Sequence, residues 1–288
     1  MLDRNYPSRK GLTQRLLARD RHISYDPDMT LSRRTLLQIP LAAFAAPVMA
    51  QEKPWRAAFL SGGFDGEVHH GGLKVQMLPG WKTYWRVPGA GGIPPEVSAT
   101  GANIKAFIFE HPLPHRYDGE EGQSIGYKDE VVFPFRLVPV EKSLPIPATF
   151  MAFLGVCEIV CIPVKHEQQV ELRPSFGASP DLPEIQRWRM RVPQLVEQGP
   201  VQRATAGKNN GKPVLALTLG TAVKDIFVEG NALHYFAAPQ FAPDGLSAML
   251  EVHGAKSIAD LKGQALRITL DTGTNGANWG LEQRLTVV

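Results

Sequence analysis

The stretch "FLGVCEIVCIPV" (residues 153–164) contains both cysteines of the 288-residue chain, Cys157 and Cys161. Its apolar and β-branched residues are typical of β-strands. One straight strand would hold the two Cα atoms about 13 Å apart, at roughly 3.3 Å per residue, whereas a disulfide needs them roughly 4.4–6.8 Å apart. The β-branched residues between the cysteines, followed by Pro163, disfavour a helix. The sequence therefore predicts a hairpin or tight turn that brings the two sulfurs together.

Short strand-like segments recur along the rest of the chain. Examples are "EVVFPFRLVPV", "VLALTLG" and "QALRITLDTG", which alternate apolar and polar residues or are rich in β-branched ones. Gly, Pro, Asn or Asp bounds most of them, as is usual for strands that end in turns. Together with 27 Gly and 24 Pro residues, this pattern predicts an all-β sandwich architecture.

One segment, "SPDLPEIQRWRMRVPQLVEQ" (residues 179–198), has a helical pattern instead. Ser179 or Asp181 is a candidate N-cap, and Pro193 is expected to kink or split the helix. We therefore predict two β-sandwich domains joined by a short helical connector. The predicted boundaries are a leader and signal peptide at 1–50, a cysteine-containing sandwich at 51–176, a helical linker at 177–199 and a second sandwich at 200–288. Inside the second sandwich, "VQRATAGKNNGKP" (residues 201–213) predicts a flexible hairpin tip.

The N-terminus has the features of an export signal. Arg33 and Arg34 precede an apolar run that ends in a small-x-small pattern at Ala50, which is typical of a signal peptidase site. The run is shorter than the roughly 17–25 residues that span a bilayer, and the paired arginines favour the Tat route. We therefore expect a periplasmic protein with no membrane span in the mature chain.

The charge of the chain depends on this leader. The whole sequence has 31 basic and 28 acidic residues, but residues 51–288 have 23 basic and 24 acidic ones, a net charge of −1. Such a balance gives no long-range attraction to nucleic acid or to an anionic membrane surface. We expect no nucleic-acid partner.

Three roles are open for the two cysteines. In an exported protein, a lone pair of cysteines is more often bonded than left as two buried thiols. A bond that closes so short a loop removes little chain entropy, so a redox-active pair is favoured over a structural staple. A copper(I) site of Cys157 and Cys161 with His69 and His70 is the weaker alternative, because Cys-x3-Cys without a second pair is not a closed zinc pattern. We expect no bound metal and no other cofactor.

The segment "GGLKVQMLPGWKTYWRVPGAGGIPPEV" (residues 71–97) resembles the N-terminal periplasmic region of the thiol:disulfide interchange protein DsbD, and more closely its copper-tolerance relatives of the ScsB type. The shared pattern is Pro-Gly-Trp-x-Thr-Tyr-Trp, followed by a Pro-Gly turn and a Gly-x-Pro-Pro turn. The segments "FEHPLPHRYDGEEGQSIGYKDEVVFPFRLVP" (109–139) and "LGVCEIVCIPV" (154–164) continue the likeness. It covers residues 54–175, and the second half of the chain is similar to the second sandwich of the ScsB type more weakly.

The resemblance implies an immunoglobulin-like fold in which Cys157 and Cys161 are the catalytic dithiol, with Cys161 forming the bond to the partner. Aromatic residues of the shared pattern, Trp81, Tyr84 and Trp85, are candidates to shield the sulfurs. Strand alternation would place Tyr84 on the face opposite to the two tryptophans.

The partners follow from the same resemblance. The membrane domain and the thioredoxin-like domain of the family are not recognisable in this sequence. Electrons would then come from a separate thioredoxin-like or membrane donor and pass to periplasmic disulfide-containing proteins, in copper tolerance or cytochrome maturation. The alternative function is a non-catalytic copper(I)- or protein-binding module with a structural disulfide.

Overall fold

The structure is a computed structural model that describes residues 53–119, 122–175, 177, 179–273 and 280–288. The predicted leader and signal peptide lie outside these residues. The described chain consists mostly of β-strands with one α-helix, so the all-β fold class is confirmed. Among the described residues, no helix is long and apolar enough to cross a membrane.

Ten strands form the cysteine-containing part of the chain. They are β1 (Trp55–Phe64), β2 (His69–Met77), β3 (Lys82–Gly89), β4 (Glu96–Gly101), β5 (Ile104–Phe109), β6 (His115–Tyr117), β7 (Ser124–Lys128), β8 (Glu130–Pro139), β9 (Ile146–Cys157) and β10 (Cys161–Leu172). One sheet has the order β1-β2-β8-β5, and the other has the order β10-β9-β3-β7-β6 with β4 also pairing with β9. From Ile146 to Phe153, strand β9 alternates buried with partly or fully exposed residues, as a strand does when only one of its faces lies against a core, and its last four residues are all buried. Fully buried side chains between the sheets include Leu73, Trp85, Phe133 and Phe150.

The predicted helical connector is shorter than the sequence pattern indicated. Helix α1 spans Leu182–Arg189, and its buried residues Ile185 and Trp188 face strands β1, β2 and β8. Gly72 on β2 permits this approach, because a Cβ there would contact Ile185 and Val132. The helix ends before Pro193, which cannot continue a helical hydrogen-bond pattern.

The remaining strands form two further sheets. They are β11 (Gln194–Val196), β12 (Val201–Asn209), β13 (Lys212–Leu219), β14 (Asp225–Glu229), β15 (Tyr235–Phe236), β16 (Gln240–Phe241), β17 (Ser247–His253), β18 (Ala265–Asp271) and β19 (Gly280–Thr286). The sheet orders are β11-β19-β18-β14 and β12-β13-β17-β15, with β16 pairing with β17. Their core includes the fully buried residues Leu215, Ile226, Leu250 and Ile268.

The predicted flexible tip at 201–213 is wrong in extent. Almost all of it belongs to the paired strands β12 and β13, and only Asn210 and Gly211 form the turn. Both have positive φ, 49° and 82°, which is the conformation that two-residue hairpin turns require and that Asn-Gly adopts readily.

Side chains from both parts of the chain meet at a buried junction. The ring of Trp85 lies 5.6 Å from that of Phe227 on β14, and Phe227 belongs to the core of the cysteine-containing part. Arg86 donates to Glu229 at 2.6 Å and to Glu282 at 3.0 Å. The domain boundaries proposed from the sequence remain a prediction.

Candidate redox site

The two cysteines end the neighbouring strands β9 and β10 and face each other across the ladder. Cys157 and Cys161 are directly paired in the antiparallel register, with their Cα atoms 4.2 Å apart and a disulfide between the sulfurs. This distance is close to the roughly 4.5 Å of an antiparallel pair that shares no hydrogen bond. Glu158, Ile159 and Val160 form the loop, so the hairpin predicted from the cysteine spacing is present.

The two cysteines differ in exposure. The Cys157 side chain is buried, with 1% of its surface exposed, whereas Cys161 is exposed. Ile159 and Val160 at the tip are 87% and 72% exposed. A thiolate that approaches from solution therefore reaches Cys161 more readily than Cys157.

Tyr84 contacts the exposed cysteine from strand β3. Its hydroxyl lies 3.0 Å from the Cys161 sulfur, and because a disulfide sulfur carries no proton, the hydroxyl is the donor. Gly92 lies against the tyrosine ring, where any Cβ would overlap the ring atoms. The loop that carries Gly92 is tied to β9 by a 3.1 Å bond from the Gly155 amide to the Ile93 carbonyl. Tyr84 is thus buried and fixed beside the sulfur.

The two tryptophans of the predicted shield lie elsewhere. Trp85 is fully buried in the core, next to Phe227, and Trp81 is partly buried against the same core. Of the three aromatic candidates, Tyr84 is the one that the described structure brings to a cysteine sulfur. The alternation expected along this strand explains the difference, since Tyr84 points to the opposite face from Trp85.

Lys82 is a site residue that the sequence reasoning missed. It lies directly opposite Cys157 in the β3–β9 register and directly opposite Lys128 on its other side. Its ammonium donates to the Ser124 hydroxyl at 2.9 Å. Side chains that are directly opposite share one face of a sheet, so a cation lies on the same face as the buried sulfur. The sequence did contain a signal for it: Lys82 lies two residues before Tyr84, so strand alternation puts both side chains on the same face of the sheet.

The disulfide forms part of the wall of a cavity of about 350 Å³. Its other walls come from strand β3, the loop after it, the loop before β7 and the hairpin tip. The lining residues are Lys82, Tyr84, Ala90, Gly91, Gly92, Gly119, Gly122, Gln123, Ser124, Cys157, Glu158, Ile159 and Cys161. Nearby on β6, burial raises the pKa of the Tyr117 hydroxyl, and the Lys128 ammonium lies 4.5 Å from the centre of that ring.

The alternative copper(I) ligands are not brought together. His69 and His70 lie on β2, in the other sheet from the cysteines. The His70 ring contacts Asp65 at 2.7 Å and Arg189 at 2.7 Å. Burial lowers the pKa of His69. Within the described residues, no group of three or more His, Cys, Asp or Glu residues could hold a metal ion.

The part of the chain that contains this site is similar to a known family. Residues 48–172 match the family model described as the N-terminal region of the thiol:disulfide interchange protein DsbD, which confirms the resemblance inferred from the sequence. The crystal structure of the N-terminal periplasmic domain of ScsB from Proteus mirabilis is similar in fold, with 24% sequence identity and a TM-score of 0.63. That match covers 83% of this chain and 95% of the other. No curated protein matches the chain.

Proposed function

We propose that this chain is an exported thiol–disulfide interchange protein that relays electrons through the Cys157–Cys161 pair. The observation that carries the proposal is the position of the disulfide at an exposed hairpin tip, with one exposed and one buried cysteine. It lies within the residues that match the DsbD N-terminal region. A staple would gain nothing from an accessible sulfur, whereas an exchange reaction needs one.

Reduction of the protein begins at Cys161. A donor thiolate attacks the Cys161 sulfur, the bond to Cys157 breaks, and its electron pair leaves on the Cys157 sulfur. The second thiol of the donor then attacks the mixed disulfide and releases Cys161, so two electrons and two protons have passed to the chain. Transfer to a target runs the same steps in reverse, with Cys161 attacking the target disulfide and Cys157 resolving the mixed disulfide.

Lys82 and Tyr84 have separate tasks in this scheme. Lys82 lies opposite Cys157 in the strand register and supplies a cation on that face of the sheet, which stabilises the thiolate that leaves when the bond breaks. The Tyr84 hydroxyl, 3.0 Å from the other sulfur, stabilises the thiolate that forms on Cys161. Both residues act on the sulfurs without entering the covalent steps.

The partners in this proposal are a thioredoxin-like or membrane electron donor and periplasmic disulfide-containing targets. The similar ScsB domain is described as periplasmic, which supports the same compartment here. We propose that the relay acts in copper tolerance or in cytochrome maturation.

The redox potential of the pair tests the proposal. We expect thiol trapping in glutathione buffers to give a potential above about −300 mV, the region in which exchange-active pairs lie. A potential well below that value would instead identify a structural bond and contradict the proposal.

Trapping of a mixed disulfide tests the direction of attack. Cys161 of the Cys157→Ser variant is first converted to its mixed disulfide with 5-thio-2-nitrobenzoate. A reduced thioredoxin-like protein that lacks its resolving cysteine then attacks the Cys161 sulfur, thionitrobenzoate leaves as a thiolate, and the mixed disulfide between the two proteins is expected to accumulate. Cys161→Ser is the matched control, and we expect it to trap little because Cys157 is buried. Equal trapping by both variants would show that the difference in exposure does not direct attack.

A further inference from the structure

The cavity beside the disulfide is lined by side chains of opposite charge. Lys82 and Glu158, one cation and one anion, both line it together with the two sulfurs. Glycines provide much of the remaining wall, at Gly91, Gly92, Gly119 and Gly122. Among the residues that the structure describes, the cavity is therefore a recess lined largely by backbone, with one cation, one anion and a disulfide.

The size of the recess fits a small molecule. Its volume of about 350 Å³ falls at the lower end of the roughly 300–1,000 Å³ of small-ligand sites. At Gly92, with φ of 138°, an added Cβ would overlap the Tyr84 ring. At Gly122, with φ of 107°, an added Cβ would lie 3.0 Å from that of Ala90. Side chains at these positions would therefore be strained, and their absence keeps the recess open.

We infer that this cavity binds the amino-acid end of a low-molecular-weight disulfide such as cystine, and that the reduced pair reduces it. A carboxylate next to Lys82 and an ammonium next to Glu158 would each form a charge-assisted contact, and the substrate sulfurs would then lie beside Cys161. The inference rests on the proposed dithiol chemistry and adds a small-molecule substrate to the protein partners.

The reaction balances without a further reagent. The Cys161 thiolate attacks one sulfur of cystine, the substrate S–S bond breaks, and one cysteine leaves as a thiolate that takes up a proton. Cys157 then attacks the mixed disulfide and releases the second cysteine. Two electrons pass from the protein dithiol to cystine, and the two thiol protons end on the two cysteines, while a thioredoxin-like dithiol restores the reduced protein.

The test compares three disulfides on the reduced full chain: cystine, 3,3′-dithiodipropionate, which lacks the ammonium, and 2-hydroxyethyl disulfide, which is uncharged. Each oxidation rate is divided by the rate of the same disulfide with free 2-mercaptoethanol. We expect the normalised rate for cystine to exceed that for 2-hydroxyethyl disulfide by about tenfold, the effect of one or two charge-assisted contacts, and to saturate with concentration. Equal normalised rates for all three would overturn the inference and leave the protein relay standing.

Substitutions separate binding from sulfur reactivity. Lys82→Gln changes both the reactivity of the cysteine sulfurs and the charge of the cavity. The change in sulfur reactivity affects both substrates equally, so it cancels in the ratio of the cystine rate to the 2-hydroxyethyl disulfide rate. We expect that ratio to fall at least about fivefold in Lys82→Gln and in Glu158→Gln, in line with the loss of one contact each. Lys165→Gln is the matched control, because Lys165 lies on the same hairpin and is not among the cavity-lining residues. A ratio that is unchanged in both cavity variants would contradict the inference.

A binding measurement on the oxidised protein needs no electron transfer. S-methylcysteine carries both charged groups and no reactive thiol, so an NMR titration should give saturable amide shifts at Gly91 and Gly92. The absence of such shifts would overturn the inference. If the disulfide proved irreducible, the proposed relay would fail on its own, and this titration would still decide the binding.

Discussion

Lys82 is the residue whose role can be tested most directly. It lies across the ladder from Cys157, and a nearby cation favours the thiolate over the thiol. In a Cys161→Ser background, we expect Lys82→Met to slow alkylation of Cys157 by iodoacetamide at neutral pH by about three- to tenfold, the effect of removing one partly exposed charge from the same face of the sheet. Lys82→Arg keeps the charge and should keep most of the rate. An unchanged rate in Lys82→Met would show that the ammonium does not act on the sulfur.

Tyr84 should tune the redox potential from the other side of the bond. A hydroxyl that donates to a thiolate is held more strongly than one that donates to a neutral sulfur, so Tyr84 favours the reduced form. We expect Tyr84→Phe to make the potential more negative by about 15–30 mV, the equivalent of one modest hydrogen bond. Tyr127→Phe is the matched control, because the Tyr127 hydroxyl donates to the Pro112 carbonyl and not to a cysteine. A potential that Tyr84→Phe leaves unchanged would remove Tyr84 from the mechanism.

The limits of sequence reasoning are visible at these same residues. The spacing of Cys157 and Cys161 fixed the need for a turn, because a disulfide has a narrow range of lengths. Alternation placed Tyr84 and Trp85 on opposite faces but did not say which face meets the sulfurs. Lys82 could not be predicted to face Cys157, because Cys157 is 75 residues away along the chain. The register of two strands so far apart in sequence is set by tertiary packing.

At the scale of elements, the loop after β3 holds Tyr84 in place through Gly92. An alanine there would be strained by a φ of 138° and by overlap with the tyrosine ring. We expect Gly92→Ala to lower the free energy of unfolding by about 1–3 kcal/mol, measured by urea denaturation. Gly91→Ala is a matched control one residue away, since a Cβ there has no neighbour within 4 Å in the described structure. It should change stability by no more than about 0.5 kcal/mol.

The other elements show which local signals can be trusted. Segments such as β8 and β18 could be placed from the sequence because they are short runs rich in apolar and β-branched residues, bounded by turn residues, as expected of strands that are buried along most of their length. The connector was predicted too long, since Leu195 follows Pro193 into strand β11, where it pairs in parallel with β19. The polar composition of residues 201–213 led to the wrong prediction of a flexible tip. Strand β12 lies at the edge of its sheet, where a strand needs few apolar residues because the hydrogen bonds to its neighbour hold it in place.

At the scale of the whole molecule, the junction between the two parts depends on buried ion pairs. Arg86 bonds to both Glu229 and Glu282, whose side chains are 19% and 7% exposed. Removing one partner of a buried pair leaves an uncompensated charge, so we expect Arg86→Met to cost about 3–5 kcal/mol of the free energy of unfolding. Adding Glu229→Gln should restore part of that loss. As a control, Lys142→Met breaks the exposed pair with Glu67 and should cost no more than about 1 kcal/mol.

The same junction should make the molecule sensitive to acid through His111. Burial, followed by the nearby cations Arg86 and Arg267, lowers the pKa of His111 from 6.5 to about 3. Between these two values the unfolded chain binds a proton that the folded chain does not, so the free energy of unfolding must fall as the pH falls from about 6.5 towards 3. Above pH 6.5 the residue contributes no slope, because it is neutral in both states.

The contribution of His111 to the pH dependence of stability has an upper limit, because His111 binds only one proton. A single group contributes at most about 1.4 kcal/mol per pH unit, and the range from pH 4.5 to 6.5 avoids most carboxylate titration. We expect His111→Gln to reduce the slope of the unfolding free energy against pH in that range, whatever its effect on the absolute stability. His253→Gln, which removes an exposed histidine, is the matched control. If His111→Gln and the unsubstituted chain gave the same slope, the buried histidine would not be the residue through which acid acts on the junction.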